Sequence, residues 1–156
     1  MPKPIMRDND LVSLMKENIK LVNEIDKSIQ IEFSKNLKTI VLNSDKEQIS
    51  RVFFNLIKNS IESIQQKAEN DSKFNKKITI ELSEIDDHIY IVIVDSGIGF
   101  AKVSSNIKDI LNPYFTTKKN GTGLGLSIVN KIINDHNGKL NFVSVPNGAK
   151  VEIIFY

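Results

Sequence analysis

The stretch SDKEQISRVFFNLIKNSIESI, residues 44–64, contains the strongest structural signal in the sequence. Its apolar residues recur at steps of three and four, which is the period of an amphipathic α-helix. They are Ile49, Val52, Phe53, Leu56, Ile57, Ile61 and Ile64. Ser44 and Glu47 have the spacing of a capping box, a common helix start. The stretch therefore predicts a helix of about five turns with one apolar face.

Two asparagines lie in the middle of this predicted helix. Asn55 and Asn59 are four residues apart, so they share one helix face at the border of the apolar stripe. Asparagine is a middling helix former, so a pair in mid-helix suggests a function. Amide oxygens suit Mg²⁺, which keeps several waters and binds phosphates. The alternative is a pair of solvated surface amides, and the helix alone leaves both possibilities open.

The rest of the chain alternates between short strands and helices. Apolar alternation predicts strands at 28–34, 38–42, 78–82, 88–94, 140–145 and 149–155, and helical spacing predicts helices at 10–22 and 124–135. The first two strands are expected to pair across a Lys35–Asn36 turn, and the last two across Pro146–Gly148. A polar loop is expected from Gln65 to Lys77. Together these elements predict an α+β fold with a largely antiparallel or mixed sheet and helices on one face.

The composition excludes several classes of protein. With 156 residues, 40% of them hydrophobic and 26% charged, the chain has the make-up of one globular domain. Lys and Arg number 21 against 19 Asp and Glu, so charge indicates neither a nucleic-acid surface nor a membrane surface. The absence of cysteine excludes disulfides, thiolate zinc sites and cysteine nucleophiles. No apolar run reaches the length of a membrane span.

A turn with two glycines, DSGIG at 95–99, follows the most apolar strand. The Asp95 carboxylate could accept a hydrogen bond from an exocyclic amine, such as N6 of adenine. Gly97 and Gly99 would let a flat ring approach the backbone. An ordinary strand-ending turn is the alternative.

A second glycine segment, GTGLG at 121–125, precedes the predicted helix at 124–135. Glycines leave the backbone N–H groups open, and a helix N-terminus favours an anion. Lys118 and Lys119 would add positive charge. These features are typical of phosphate binding, although a flexible surface loop would explain a short glycine motif equally well.

Taken together, the motifs resemble the ATP-binding domain of sensor histidine kinases, in the superfamily shared with gyrase, the Hsp90 chaperone and MutL. The match runs from Asp45 to the C-terminus and is nearest to the nitrogen-regulation branch. Its four segments are the N box at 55–60, the G1 box at 95–99, the F box at 113–118 and the G2 box at 121–127. The resemblance implies a two-layer α/β sandwich, the Bergerat fold, with a mixed five-stranded sheet, three helices on one face and an ATP lid over 101–120.

The resemblance also implies the roles of individual residues. Asp95 would hold adenine N6, with Gly97 and Gly99 beside the ring. Asn59 would bind Mg²⁺, and Asn55 would support the metal or the phosphates. The other expected ATP contacts are Phe115, Thr116, Thr117, Lys118, Gly121, Thr122, Gly123, Leu124 and Gly125. The expected catalytic residues are Asn55, Asn59 and Lys118, the last reaching the γ-phosphate.

Three departures from the family pattern bear on the mechanism. Glu62 stands where many members carry a lysine, so any phosphate contact from that position is lost. Neither His88 nor His136 lies in an H box, and His136 has the position of a helix C-terminal cap, so the phosphoacceptor histidine is expected outside these residues. Asn55 stands where hydrolytic members place a glutamate, and a neutral amide is a poor general base. The chain is therefore expected to offer the γ-phosphate to an outside nucleophile.

The resemblance implies the catalytic domain, 10–156, of a two-component sensor kinase, with 1–9, which begins MPKP, as the linker from a dimerisation domain absent from this chain. Its partners would be the histidine on that dimerisation domain and a response regulator. The fragment is expected to be monomeric and cytoplasmic, within a membrane-anchored parent, with no nucleic-acid or direct membrane contact. Two alternatives remain: a free-standing serine kinase of the anti-sigma-factor type, and a nucleotide-binding module without catalysis.

Overall fold

The computed structural model describes residues 3–71, 73–99 and 125–156, and these ranges contain seven strands and three helices. The strands are β1 (Arg7–Asp10), β2 (Gln30–Lys35), β3 (Val41–Ser44), β4 (Lys77–Ile85), β5 (His88–Asp95), β6 (Gly138–Val145) and β7 (Gly148–Phe155). The helices are α1 (Leu11–Val22), α2 (Lys46–Ala68) and α3 (Gly125–Asp135). In this part of the chain, no helix is both long enough and apolar enough to cross a membrane.

The main sheet has five strands in the order β2-β4-β5-β7-β6. It is mixed, because β2 runs parallel to β4 whereas the other neighbours are antiparallel. β5 is the middle strand, a position that the apolar residues on both faces of 88–94 predict. Its residues alternate between buried and half-buried, so one face of the sheet is covered more completely than the other. The predicted α+β sandwich is confirmed.

Helix α2 lies at the centre of the helical layer. It contacts β4 and β5, and both α1 and α3 pack against it. Its apolar stripe is buried as the spacing predicts, and Ile49, Phe53, Ile57, Ile61 and Ile64 have no exposed surface. One helix thus joins the two layers of the sandwich and supports the carboxyl end of the central strand.

The start and the end of α2 differ from the prediction. Its N-cap is Asp45, whose Oδ1 accepts from the backbone N–H of Gln48 at 3.0 Å. Ser44, the expected cap, is instead the buried last residue of β3, and its hydroxyl donates to the Leu42 carbonyl. The helix continues to Ala68 and takes the first part of the predicted 65–77 loop. These four residues are mostly polar because the last turn extends past the apolar core.

The predicted hairpin between the first two strands is wrong. β2 pairs with β4, which brings Ile31 and Phe33 opposite the buried Ile78 and Ile80. β3 pairs with β1 in a separate two-stranded sheet, where Arg7 lies opposite Ser44. Residues 7–9, expected from the sequence to be linker, therefore form most of β1.

The remaining turns agree with the sequence. Asp86 and Asp87 have φ values of 52° and 65°, and they connect β4 to β5. Asn147, with φ 60°, closes the β6–β7 hairpin. Asn137, with φ 59°, follows the end of α3, where the helix is expected to stop. Asparagine and aspartate tolerate this left-handed conformation better than other residues with a Cβ.

Candidate functional site

The turn after β5 is attached to α2 by two serine hydroxyls. Asp95, the last residue of β5, is only 7% exposed, and its carboxylate accepts from the Ser60 side chain. Two residues later, the backbone N–H of Ile98 donates to the Ser63 hydroxyl at 3.0 Å. Ser60 and Ser63 are three residues apart and therefore neighbours on the helix surface. The turn is thus held against α2 at two points.

Hydrogen bonds to Ser96 fix the same turn from the side of β4. The Ser96 N–H donates to the Lys77 carbonyl at 3.1 Å, and the Lys77 N–H donates to the Ser96 hydroxyl at 3.0 Å. The Ser96 carbonyl accepts from the ammonium of Lys67, near the end of α2, at 3.1 Å. The backbone of residues 95–98 is therefore ordered from both layers.

Glycines are required at this turn because other elements approach it closely. A Cβ on Gly97 would overlap the Ser63 hydroxyl. Gly99 has φ +79°, and a Cβ there would lie 2.6 Å from the Gly148 carbonyl oxygen. Both positions are buried. The two glycines therefore bring the turn against α2 and the β6–β7 hairpin.

Burial raises the pKa of the Asp95 carboxyl to about 6. Hydrogen bonds from the Gly97 N–H, the Ser60 side chain and the Ala149 backbone oppose this shift, as does the charge of Lys67. The Gly97 N–H donates to Oδ1 at 2.8 Å. At neutral pH the site thus holds a buried carboxylate whose charge is only partly compensated. Such a group is suited to accept hydrogen bonds from a bound amine.

Asn55 and Asn59 lie one turn apart on α2 and are both half-buried. Asn59 precedes Ser60, the residue that contacts Asp95, so α2 brings the asparagines and the carboxylate into one region. Glu62, which stands where many family members carry a lysine, forms an ion pair with Lys58 at 3.8 Å.

The donor chemistry of this region bears on metal binding. Among the described residues, no group of three or more His, Asp or Glu side chains is placed to hold a metal. Two amide oxygens are neutral ligands and cannot offset a divalent charge alone. They fit Mg²⁺ that also binds waters and phosphate oxygens. The residues present therefore fit a metal that arrives with a phosphate ligand.

The predicted glycine-loop and lid residues are mostly outside the described ranges. Those are Phe115, Thr116, Thr117, Lys118, Gly121, Thr122, Gly123 and Leu124. Gly125 is the first residue of α3, and a Cβ there would meet nothing within 4 Å of the described atoms. Packing of the described residues therefore does not require glycine at this position.

Motif reasoning assigns no role to three residues of the site: Ser60, which is the last residue of the N box, and Ser63 and Lys67, which lie outside the boxes. Ser60 carries a signal, because it is a polar residue four positions after Leu56 on the apolar stripe. Its 4% exposure matches that position. Ser63 and Lys67 are residue types that are common on any helix, and no local pattern marks them.

Both histidines contact other residues of the fold. His136 is 6% exposed, and its Nδ1 lies 2.8 Å from the Ile132 carbonyl oxygen in the last turn of α3. This contact agrees with the expected C-terminal cap. His88 begins β5, with its ring edge-on to Tyr156 at a centroid distance of 5.4 Å.

Comparison with known proteins gives one family and one fold. Residues 44–156 match the family described as histidine kinase-, DNA gyrase B-, and HSP90-like ATPase. The nitrogen regulation protein NtrY of Azorhizobium caulinodans is 28% identical over 95% of this chain and 19% of its own length. The sensor histidine kinase ZraS of Escherichia coli K12 is 33% identical over 86% of this chain and 27% of its own length. The chain thus spans about a fifth to a quarter of these relatives.

Solved structures show the same architecture. The nucleotide-free catalytic domain of histidine kinase ThkA superposes with a TM-score of 0.81 at 28% identity, over 97% of this chain and 95% of that domain. ThkA in complex with the response regulator protein TrrA gives a TM-score of 0.74 at 25% identity, over 96% of this chain and 41% of ThkA. The five-stranded sheet and the helical layer are therefore those of a histidine kinase catalytic domain.

Proposed function

Since the chain belongs to the family of histidine kinase-, DNA gyrase B- and HSP90-like ATPases, we propose that it binds Mg²⁺·ATP and transfers the γ-phosphoryl group to a histidine on another domain. In this proposal it is the catalytic domain of a sensor histidine kinase. The acceptor belongs to a dimerisation domain of the same parent, and the phosphoryl group passes on to a response regulator.

The observation that carries the proposal is the buried Asp95 carboxylate in a turn of fixed shape. Burial makes its charge unfavourable, and an amino group that donates to it would offset part of that cost. Adenine N6 is such a donor. Gly97 and Gly99 let the turn pack against Ser63 and Gly148, which holds the carboxylate in place for it. We assign Asp95, Gly97 and Gly99 to adenine recognition.

The asparagines of α2 are assigned to the other end of the nucleotide. Asn59 is the proposed Mg²⁺ ligand, and Asn55 supports the metal or the phosphates through its amide. When bound, Mg²⁺·ATP supplies the phosphoryl group, and the metal neutralises charge on the phosphates. Gly125 is the first residue of α3, and the N-terminus of a helix favours an anion. Residues 115–118 and 121–124 complete the proposed set by resemblance.

An acceptor outside this chain agrees with the state of both histidines. His136 is buried, with Nδ1 against the Ile132 carbonyl and Nε2 accepting from the backbone N–H of Asp45. The Nδ1 of His88 is buried as well. Both nitrogens of His136 are therefore engaged, and Nδ1 of His88 is not open to a phosphoryl donor. Asn55, a neutral amide, cannot activate water as a carboxylate would, so transfer is favoured over hydrolysis.

The test is calorimetric titration with a non-hydrolysable ATP analogue, with and without magnesium. We expect binding that magnesium strengthens, and slow hydrolysis of ATP by the chain alone. A supplied dimerisation domain should then gain a phosphoryl group that acid removes, because phosphohistidine is acid-labile. Absence of binding, or rapid steady-state hydrolysis, contradicts the proposal. An acid-stable product would indicate a serine kinase instead, and tight binding without transfer a non-catalytic module.

A further inference from the structure

Lys67 makes two directed contacts at the back of the Asp95–Gly99 turn. Its ammonium donates to the Ser96 carbonyl at 3.1 Å. The same nitrogen lies 4.6 Å from the centroid of the Phe74 ring, within the range of a cation–π interaction. Phe74 is itself partly buried against the core. The lysine is thus held by an aromatic ring on one side and joined to the turn on the other.

In the described part of the chain, the Lys67–Ser96 contact lies beside a space that other side chains leave open. A cavity of about 130 Å³ lies between the turn and the β6–β7 hairpin. Its lining includes Lys67, Gly97 and Gly99 on one side and Asn147 and Gly148 of the hairpin on the other. Among the described residues, side chains do not fill this space, and the Lys67–Ser96 bond is one of the contacts that hold the turn beside it.

We propose that Lys67 is a positioning residue for nucleotide recognition: held over Phe74, its ammonium fixes the Ser96 carbonyl and so the turn that presents Asp95 to the purine. The proposal rests on the proposed function and adds to it a residue outside the four family boxes. Lys67 acts through Asp95 and Ser96, and it does not itself touch the nucleotide.

The charge of Lys67 also acts on Asp95. It is the cation whose charge lowers the pKa of that carboxyl, against the larger effect of burial. On the neighbouring strands, Lys77 is paired with Glu32 at 3.1 Å and Lys150 with Glu152 at 3.2 Å. On α2, Lys58 is paired with Glu62. Removing the Lys67 charge should therefore make Asp95 harder to ionise, which no loss of packing alone would do.

The experiment compares Lys67→Met with Lys67→Arg and Lys150→Met. Lys150→Met removes the same charge beside Ala149, which Asp95 faces across the β5–β7 ladder, but from a partly exposed ion pair. Each protein is titrated with the non-hydrolysable ATP analogue at about pH 6.5 and about pH 8.5, on either side of neutrality. The phosphates of the ligand also titrate in this range. Their effect cancels when the affinity of each variant is divided by the affinity of the parent at the same pH.

For Lys67→Met we expect affinity about tenfold weaker at the lower pH and about threefold weaker at the higher pH, because Asp95 is ionised in both proteins only at the higher pH. Lys67→Arg should keep the parent's values, since a guanidinium can make both contacts. Lys150→Met should also match the parent. The proposal has Lys67 act both on the turn and, through its charge, on the Asp95 carboxylate that the turn presents. An equal loss at both pH values would overturn it, because a role in packing alone predicts a uniform loss.

A second measurement needs no nucleotide. Carbon-13 NMR titration of the side-chain carboxyl should show the pKa of Asp95 higher in Lys67→Met than in the ligand-free parent, and unchanged in Lys150→Met. An unchanged Asp95 pKa in Lys67→Met would overturn the proposal. Failure of the parent to bind the analogue would refute the proposed function instead, so the two failures are distinct.

Discussion

The backbone N–H of Asp45 donates to Nε2 of His136 across 3.0 Å, although the two residues are 91 positions apart. Asp45 is the N-cap of α2, and His136 directly follows α3. Since Nε2 accepts, Nδ1 carries the proton and donates to the Ile132 carbonyl. One neutral imidazole therefore joins the start of the asparagine-bearing helix to the end of the helix that begins at Gly125.

Replacing His136 by phenylalanine should destabilise the fold by about 1–3 kcal/mol, because the Asp45 N–H and the Ile132 carbonyl each lose a partner in a buried setting. Urea unfolding of the nucleotide-free protein, followed by circular dichroism, measures the change. His88→Phe is the matched control. His88 Nδ1 is buried and has no hydrogen-bond partner among the described residues, and a phenyl ring keeps the contact with Tyr156. We expect that variant to match or exceed the parent in stability. Equal losses in both variants would contradict the assigned role of His136.

Asp95→Asn should make the protein more stable at neutral pH than the parent. The carboxyl ionises near 3.8 in the unfolded chain and near 6 in the folded chain. The folded state therefore binds its proton more tightly, and this contribution to stability is present below pH 3.8 and lost as pH rises through 6. The loss amounts to at most about 3 kcal/mol. Asparagine does not titrate, so the Asp95→Asn protein does not undergo this loss of stability.

The measurement is the free energy of unfolding of both proteins across this pH interval. The parent should lose stability relative to Asp95→Asn as pH rises from about 4 to about 6, with a constant difference above that. All other carboxyls are common to the two proteins and cancel. A difference that does not vary with pH would show that Asp95 is not buried as described.

The same Asp95→Asn substitution should weaken nucleotide binding about tenfold or more. A hydrogen bond to a carboxylate is worth about 1.5–3 kcal/mol, and the variant replaces it with a neutral acceptor. Calorimetry with the ATP analogue at neutral pH checks this. The site would then lose affinity through a change that stabilises the fold, as is common where function requires a buried charge. Unchanged affinity would remove Asp95 from the proposed adenine pocket.

The sequence predicts α2 well because its signal is local: the apolar residues repeat along one face within a single stretch. The partner of β2 cannot be predicted in this way. Gln30 pairs with Lys77, and β3 and the 23-residue helix α2 lie between them in the chain. A Lys35–Asn36 turn to the next strand is plausible from local residues alone. The cap of α2 is also set at long range. Ser44 and Asp45 are both good caps, and Asp45 is selected by its contacts with His136 and with the Ile5 N–H at 2.8 Å.

The candidate site likewise combines residues that the sequence identifies with residues whose role depends on long-range contacts. The assignment of Asp95, Gly97 and Gly99 comes from the resemblance of the four boxes together, because the turn alone is equally consistent with an ordinary strand end. Lys67 is not predicted from the sequence, because its role depends on Ser96 and Phe74, which only the fold brings within reach. A polar stretch at the end of α2 is typical of a surface loop until the strands it contacts are known.

Gly97→Ala and Gly125→Ala should separate packing from ligand contact. At Gly97 the added methyl overlaps the Ser63 hydroxyl, so the turn or α2 must shift, at a cost of about 1–3 kcal/mol. At Gly125 the methyl meets nothing within 4 Å of the described atoms, so stability should stay within about 1 kcal/mol of the parent. Thermal unfolding without nucleotide measures both. If Gly125 faces the phosphates, its variant should still lose affinity for the ATP analogue. Full affinity in Gly125→Ala would exclude it from the phosphate site.

Asn59→Ala should remove most of the affinity that magnesium adds. In the proposed site, the metal's protein ligands are neutral amides, so the loss of one leaves the metal held almost entirely by ATP and water. We expect the ratio of affinities with and without magnesium to fall about tenfold, while affinity without magnesium changes little. Asn134→Ala, at an exposed position of α3, is the control and should leave both affinities unchanged. Calorimetric titration in magnesium and in a chelator gives the ratio for each protein. An Asn59→Ala protein that keeps the parent's ratio would show that the metal is held elsewhere, and the assignment of α2 to the phosphate end of the nucleotide would then be wrong.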